Sequence, residues 1–146
     1  MSNPNHPDQE IIKFLRSHHQ FTMATSVEEQ PYCAICYFVY SENLNAIIFK
    51  SSSDSRHIKE ALRNAKVAAA IISSTNKLTE SKGVQIEGKF IEPNTEQVHE
   101  AKRCYYLKFP FALAISGNIW LIELTKIKYT DNHLGHHNKL NWELKQ

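Results

Sequence analysis

Within residues 51–57 the chain reads Ser51-Ser52-Ser53-Asp54-Ser55-Arg56-His57, which gathers hydroxyls, a guanidinium and an imidazole. The stretch leaves an apolar run, Ile47-Ile48-Phe49, and enters a segment with helical periodicity. The first amides of a helix have no partner inside it and sit at the positive end of its dipole. Such amides, with hydroxyls beside them, suit phosphate oxygens, and an arginine adds a planar two-pronged donor. A second reading is local. Asp54 or Ser55 caps the helix and the remaining serines are solvated. Asp54 also opposes an anion unless its carboxylate points away. Spacing alone leaves both readings open.

Three further groups have residue types that do chemistry. Cys33-x-x-Cys36 has the spacing of a metal or redox pair. On a strand, that spacing sends the two side chains to opposite faces. With no second such pair in the chain, both read as buried core thiols. His133-x-x-His136-His137 lies near Asp131, with no Cys or Glu at zinc spacing around it. It reads as a solvated or interface loop, and no metal is expected there. Lys59, Arg63 and Lys66 are basic, but Glu60 interrupts them and no aromatic platform accompanies them. They read as a solvated helix face, so nucleic acid is not expected. No Ser-His-Asp set or carboxylate pair can be read from spacing, and catalytic side chains stay unnamed.

The elements that must position these residues follow from periodicity. Asp8 caps a first helix extending to about residue 19, with Ile11, Ile12 and Leu15 as its stripe. Residues 21–26 alternate as a half-buried strand. Residues 32–40 are apolar in both parities, which predicts a strand covered on both faces. A turn at 41–45 leads into a strand over 46–50. The early chain is thus an antiparallel meander. A second helix is expected over 56–64, with Ile58, Ala61, Leu62 and Ala65 buried. Residues 67–72 read as another buried strand, and 83–92 as a further one. In that last strand Gly88 takes a position of the apolar parity, which suggests a bulge or a close approach. Asn94 and Gln97 form a capping box for a third helix that ends at Phe109-Pro110. A short helical piece over 111–116 precedes Gly117. In the final strand, 119–130, the apolar parity changes between Leu124 and Ile127, which implies a bulge near Thr125. About six strands and three or four helices result. Their order favours an α+β fold with an antiparallel barrel over a doubly wound parallel sheet.

The 146 residues suffice for one domain, with residues 1–7 as a loose N-terminal arm. A net charge of +2 is too small to argue for a nucleic-acid surface. No run of about 18 apolar residues is present to span a membrane. The N-terminal residues lack the basic and apolar blocks of a signal peptide. Cys33, Cys36 and Cys104 make no disulfide framework, so a cytoplasmic location is expected.

The run Ser51-x-x-x-Ser55-Arg56-His57 after Ile47-Ile48-Phe49 resembles the phosphate-binding turn of the pyridoxamine 5'-phosphate oxidase-like FMN-binding split barrels. That turn commonly reads Thr-x-x-x-Ser-Arg-Lys. The strand with Ala68-Ala69-Ala70 and the one with Val84-Gln85-x-x-Gly88 follow in the same order. More narrowly, Tyr129-Thr130-Asp131-Asn132-x-Leu134-Gly135, with Lys139 and Trp142, looks like the tail of the YhbP-like group, a small bacterial group of unassigned function. Phe109-Pro110 and Trp120 fit the same group. The resemblance covers residues 9–142.

The resemblance implies a split β-barrel that forms a homodimer with FMN at the interface. It carries Ser51, Ser52, Ser55 and Arg56 over as the phosphate side of the site. His57 stands where a lysine is usual and is fully charged only when protonated, which makes affinity weaker or pH-dependent. Gln85 lies on a strand that lines the flavin ring in relatives; a solvent-facing strand amide is the alternative. Asn132, Lys139 and Trp142 are placed to reach a partner's groove. Trp142 reads first as a packing anchor. The implied activity is an FMN-dependent oxidoreductase of unknown small-molecule substrate. The alternatives are a non-catalytic flavin- or haem-binding split barrel and a dimer without ligand.

Overall fold

Asp8 opens the first helix, its carboxylate accepting from the Glu10 amide at 2.9 Å. The computed structural model describes residues 5–133 and 138–145. Helix α1 (Gln9–Arg16) buries Ile11, Ile12, Phe14 and Leu15. It ends short of the expected residue 19, because the Ser17 hydroxyl and His18 Nδ1 both reach the Phe14 carbonyl oxygen. Strands β1 (Gln20–Val27), β2 (Gln30–Ser41) and β3 (Ala46–Ser51) form the meander. Glu28 and Glu29, both at positive φ (53° and 65°), make the tight β1–β2 turn whose twist suits a hairpin.

Helix α2 (Arg56–Arg63) follows, then β4 (Lys66–Ile72) and β5 (Lys82–Ile91) with a 3-10 turn, Leu78–Glu80, between them. Helix α3 (Thr95–Lys108) starts at the expected Asn94–Gln97 capping box, with both reciprocal bonds in place. A 3-10 turn, Pro110–Ala114, leads to β6 (Asn118–Asp131), and β7 (Asn138–Glu143) ends the fold. The sheet order is β3-β2-β1-β4-β5-β6-β7, and β3 also pairs with β6. That pairing closes six antiparallel strands into a barrel, as the expected α+β class requires. The seventh strand was not legible in the tail. It pairs with β6 from Lys126↔Glu143 to Asp131↔Asn138. No helix among the described residues is long and apolar enough to cross a membrane.

The bulge falls where the parity change put it. Glu87 pairs with Lys126 and Gly88 with Leu124, leaving Thr125 as the extra residue. Gly88 faces a close approach, since a Cβ there would lie 2.5 Å from Ile122 Cγ2 and 2.7 Å from the Glu123 carbonyl oxygen. Inside the barrel, Phe21 meets Phe38 and Phe49 edge-on at 5.6 and 5.4 Å between ring centroids. A second cluster, with Ile48, Ala101, Tyr105 and Leu121, fills the space under α3.

Four expectations about burial need correcting. Strand β2 is covered on both faces only at its C-terminal end, where Val39 packs under α3 and Ser41 is buried; the inward-facing Cys36, Phe38 and Tyr40 are buried, whereas Ile35 is 75% and Tyr37 54% exposed. Strand β4 likewise buries Val67, Ala69 and Ile71 and leaves Ile72 75% exposed. In both, the inward parity is filled by the barrel, and apart from α3 over the Tyr37–Val39 end of β2 the described chain puts no layer over the other. Leu62 is exposed because α2 is short and its buried apolar side chains are Ile58 and Ala61. The opposite-face reading of the cysteines holds, but only Cys36 is buried; Cys33 is exposed.

Candidate functional site

The turn between β3 and α2 splits into an inward half and an outward half. Ser51 shares its parity with the core residues Ile47 and Phe49, so its hydroxyl enters the mouth of the barrel. There Ser51 Oγ lies 2.9 Å from His57 Nε2. The Cys36 thiol, from β2, sits 3.8 Å from the same hydroxyl and 3.7 Å from the same ring nitrogen. Burial raises the pKa of Cys36, partly offset by the Ser51 bond, and burial lowers that of His57. The backbone here is pinned, with Trp120 Nε1 donating to the Ser51 carbonyl oxygen at 2.9 Å.

The outward half is polar and charged. Arg56 lies across the Tyr32 ring, its guanidinium carbon 4.0 Å from the centroid. Its Nε donates to Glu60 Oε2 at 2.7 Å. The other Glu60 oxygen accepts from the hydroxyl of buried Thr25 at 2.9 Å. Arg56 is exposed, its side chain 54% accessible, and it is held flat at the barrel end by the ring and the carboxylate, with its terminal nitrogens toward solvent. Ser52 Oγ accepts from the Asp54 amide at 3.2 Å, while Ser53 and Asp54 are exposed. Ser55 occupies the N-cap of α2, but its hydroxyl makes no capping bond. The local capping reading thus fails for the Ser55 side chain, whose hydroxyl is not spent on its own helix.

Gln85 lies on a different surface, exposed on the outer wall of the barrel. It lines two adjoining grooves of about 490 and 610 Å³. Thr22, Ala70 and Gln85 belong to both. Their floor is flat and small, with Ala24, Ala68 and Ala70, and their sides include Ile35, Ile72, Lys126 and Lys128. Neither groove is lined by residues 51–57. The nearest link is β2, where Tyr32 carries Arg56 and the next residue, Cys33, lines the larger groove. The structure therefore brings Ser51, His57 and Cys36 together, sets Arg56 beside them, and places Gln85 around the wall.

The remaining sequence candidates fall outside this arrangement. Trp142 packs against the main core, as an anchor would. Lys139 pairs with Thr130 in the β6–β7 ladder. His133 is exposed, and His136 and His137 lie outside the described residues. Lys59, Arg63 and Lys66 are exposed, Arg63 being paired with Glu28 at 3.2 Å. Sequence reasoning missed Cys36, Tyr32, Thr25 and Glu60 as neighbours of the turn. Glu60 alone carried a local signal, standing four residues from Arg56 on a helix.

The family model described as pyridoxamine 5'-phosphate oxidase matches residues 7–108. The chain belongs to that family. A UPF0306 protein of Yersinia pestis is 30% identical over 140 residues, covering 94% of this chain and 95% of the relative. The resemblance drawn from the turn and the tail therefore holds at the level of the family. Among solved structures, a heme binding protein from Mycobacterium smegmatis superposes with a TM-score of 0.73 at 15% identity. That match covers 85% of this chain but 53% of the other, so the chain spans about half its length. An FAD binding protein from Mycobacterium smegmatis gives 0.68 at 14% identity, covering 93% of this chain and 95% of the other. At such identities these structures share the family's fold with this chain and nothing finer.

Proposed function

We propose that the protein binds FMN as a symmetric pair of chains and serves as a flavin-dependent oxidoreductase for a small molecule. One observation carries the reading. An uncovered apolar wall, with Ile35, Tyr37 and Ile72 each more than half exposed, runs beside a flat-floored groove. A soluble monomer rarely leaves such a surface bare. A second copy laid on it encloses the groove and makes a slot for a planar ring. Gln85 would offer its amide to the ring edge. Ser51, Ser52, Ser55, Arg56 and His57 would hold the phosphate, Ser55 through its uncommitted hydroxyl and Arg56 through its terminal nitrogens. The flavin would carry the electrons, while the protein supplies anchorage and a dry groove.

Haem is the second reading, favoured by the likeness to the heme binding protein and by the small residues of the floor. The visible spectrum of the purified protein separates the two: flavin bands support the first, a Soret band the second. Flavin bound without turnover of nicotinamide reductants leaves a binding protein rather than an enzyme. Arg56→Ala should weaken FMN about ten- to a hundredfold with the fold intact, as expected for a bond to a charged group. Unchanged affinity by flavin fluorescence quenching removes the phosphate from this turn.

A further inference from the structure

The charges at the turn nearly cancel. Arg56 is neutralised by Glu60 at 2.7 Å, and Asp54 adds a negative charge. Lys50, the cation next to Ser51, is committed to the Tyr106 hydroxyl at 2.9 Å and the Ala112 carbonyl at 2.8 Å. Lys59 lies exposed farther along α2. Among the described residues of the turn itself, 51–57, His57 is therefore the group that can add positive charge for a dianion without breaking an ion pair. The groups packed against its ring from other elements are the Cys36 thiol of β2 and the Ser51 hydroxyl of β3. Neither carries a charge near neutral pH, the buried thiol having its pKa raised.

The 2.9 Å contact between Ser51 Oγ and His57 Nε2 holds a single hydrogen. When Nε2 is bare, that hydrogen belongs to Ser51, and the hydroxyl is spent on the ring. When the ring is protonated, Nε2–H donates to Ser51 and the serine O–H is released to point elsewhere. Building on the FMN reading above, we infer that binding of a phosphate monoester at this turn takes up a proton on His57, which reverses the Ser51–His57 hydrogen bond and frees the serine hydroxyl as a donor to the phosphate. One proton thus supplies both a charge and a donor. Burial pushes the ring's pKa down in the empty site, and a neighbouring dianion pulls it up. Between those two values binding consumes a proton, so affinity falls as pH rises through the window.

The test is calorimetric titration of FMN into the full chain between about pH 7 and pH 8.5, where the phosphate is already a dianion. Buffers of different ionisation enthalpy report the protons exchanged. The expected result is uptake approaching about one proton per FMN at the lower end, with affinity weakening by up to about tenfold per pH unit. Riboflavin, which lacks the phosphate, should show no uptake. His57→Lys should bind with no proton exchange and little pH dependence. His57→Gln should bind weakly at every pH in the range. Uptake that persists in His57→Lys or appears with riboflavin overturns the inference. So does FMN binding to the unaltered chain without proton exchange, although the FMN reading then survives. Absence of FMN binding at every pH overturns both.

Discussion

In β2 and β4, which flank the alternating β1, both sides carry apolar residues and the two sides have opposite fates. On the inner side, Phe21, Met23 and Phe38 are no more than 2% exposed. On the outer side of the same strands, Ile35 and Ile72 are 75% exposed. Apolar residues in both parities mean that a strand is meant to be covered twice. The barrel supplies one cover by curling on itself. The chain supplies only part of the other, because α3 reaches just the Tyr37–Val39 end of β2 and α2 seals one end. The part of the wall left bare, around Ile35 and Ile72, is where a second copy and a ligand are proposed to meet.

The largest expected effect lies on the inner side. Phe49→Ala removes a fully buried ring that touches Phe21 and Phe90. It should cost about 3–5 kcal/mol in urea unfolding. A much smaller loss would mean that the barrel interior relaxes freely. Next comes Gly88→Ala, which forces a methyl against Ile122 and a backbone oxygen. About 1–3 kcal/mol of destabilisation is expected, read as a lower unfolding midpoint. The smallest effect on stability belongs to the outer side. Ile35→Ser should change the stability of the isolated chain by less than about 0.5 kcal/mol. It should nevertheless shift the mass seen by sedimentation from twice the 16.9 kDa chain toward one. A protein that is already monomeric before the substitution, or that stays dimeric after it, removes this wall from any interface.

Local devices were legible in the sequence. The Asn94–Gln97 box, the Thr125 bulge, the tight site at Gly88 and the opposed faces of Cys33 and Cys36 each depend on neighbours a few positions away. What escaped depends on distance along the chain. Thr25 reaches Glu60 across 35 positions, and Cys36 reaches His57 across 21. No periodicity reports such meetings. The bare outer wall escaped for another reason: an apolar residue beneath a cover and one awaiting a cover look the same in a sequence. Strand β7 escaped because residues 138–143 are mostly polar, and it takes its place from the β6 edge.

Thr125 has a consequence beyond the bend it makes. On its N-terminal side β6 is flanked by β3, whose last pair is Ala46↔Glu123; on its C-terminal side β6 is flanked by β7, whose first pair is Lys126↔Glu143. A single surplus residue thus stands at the changeover, where one continuous strand bends from one neighbour to the next. Without it the strand would read Leu124, Lys126, Ile127 in plain alternation, with every side chain keeping its face and every β5 pairing kept; what would be lost is the kink at the changeover. Loss of that one residue should therefore spare the core pattern and straighten the strand where it passes from β3 to β7.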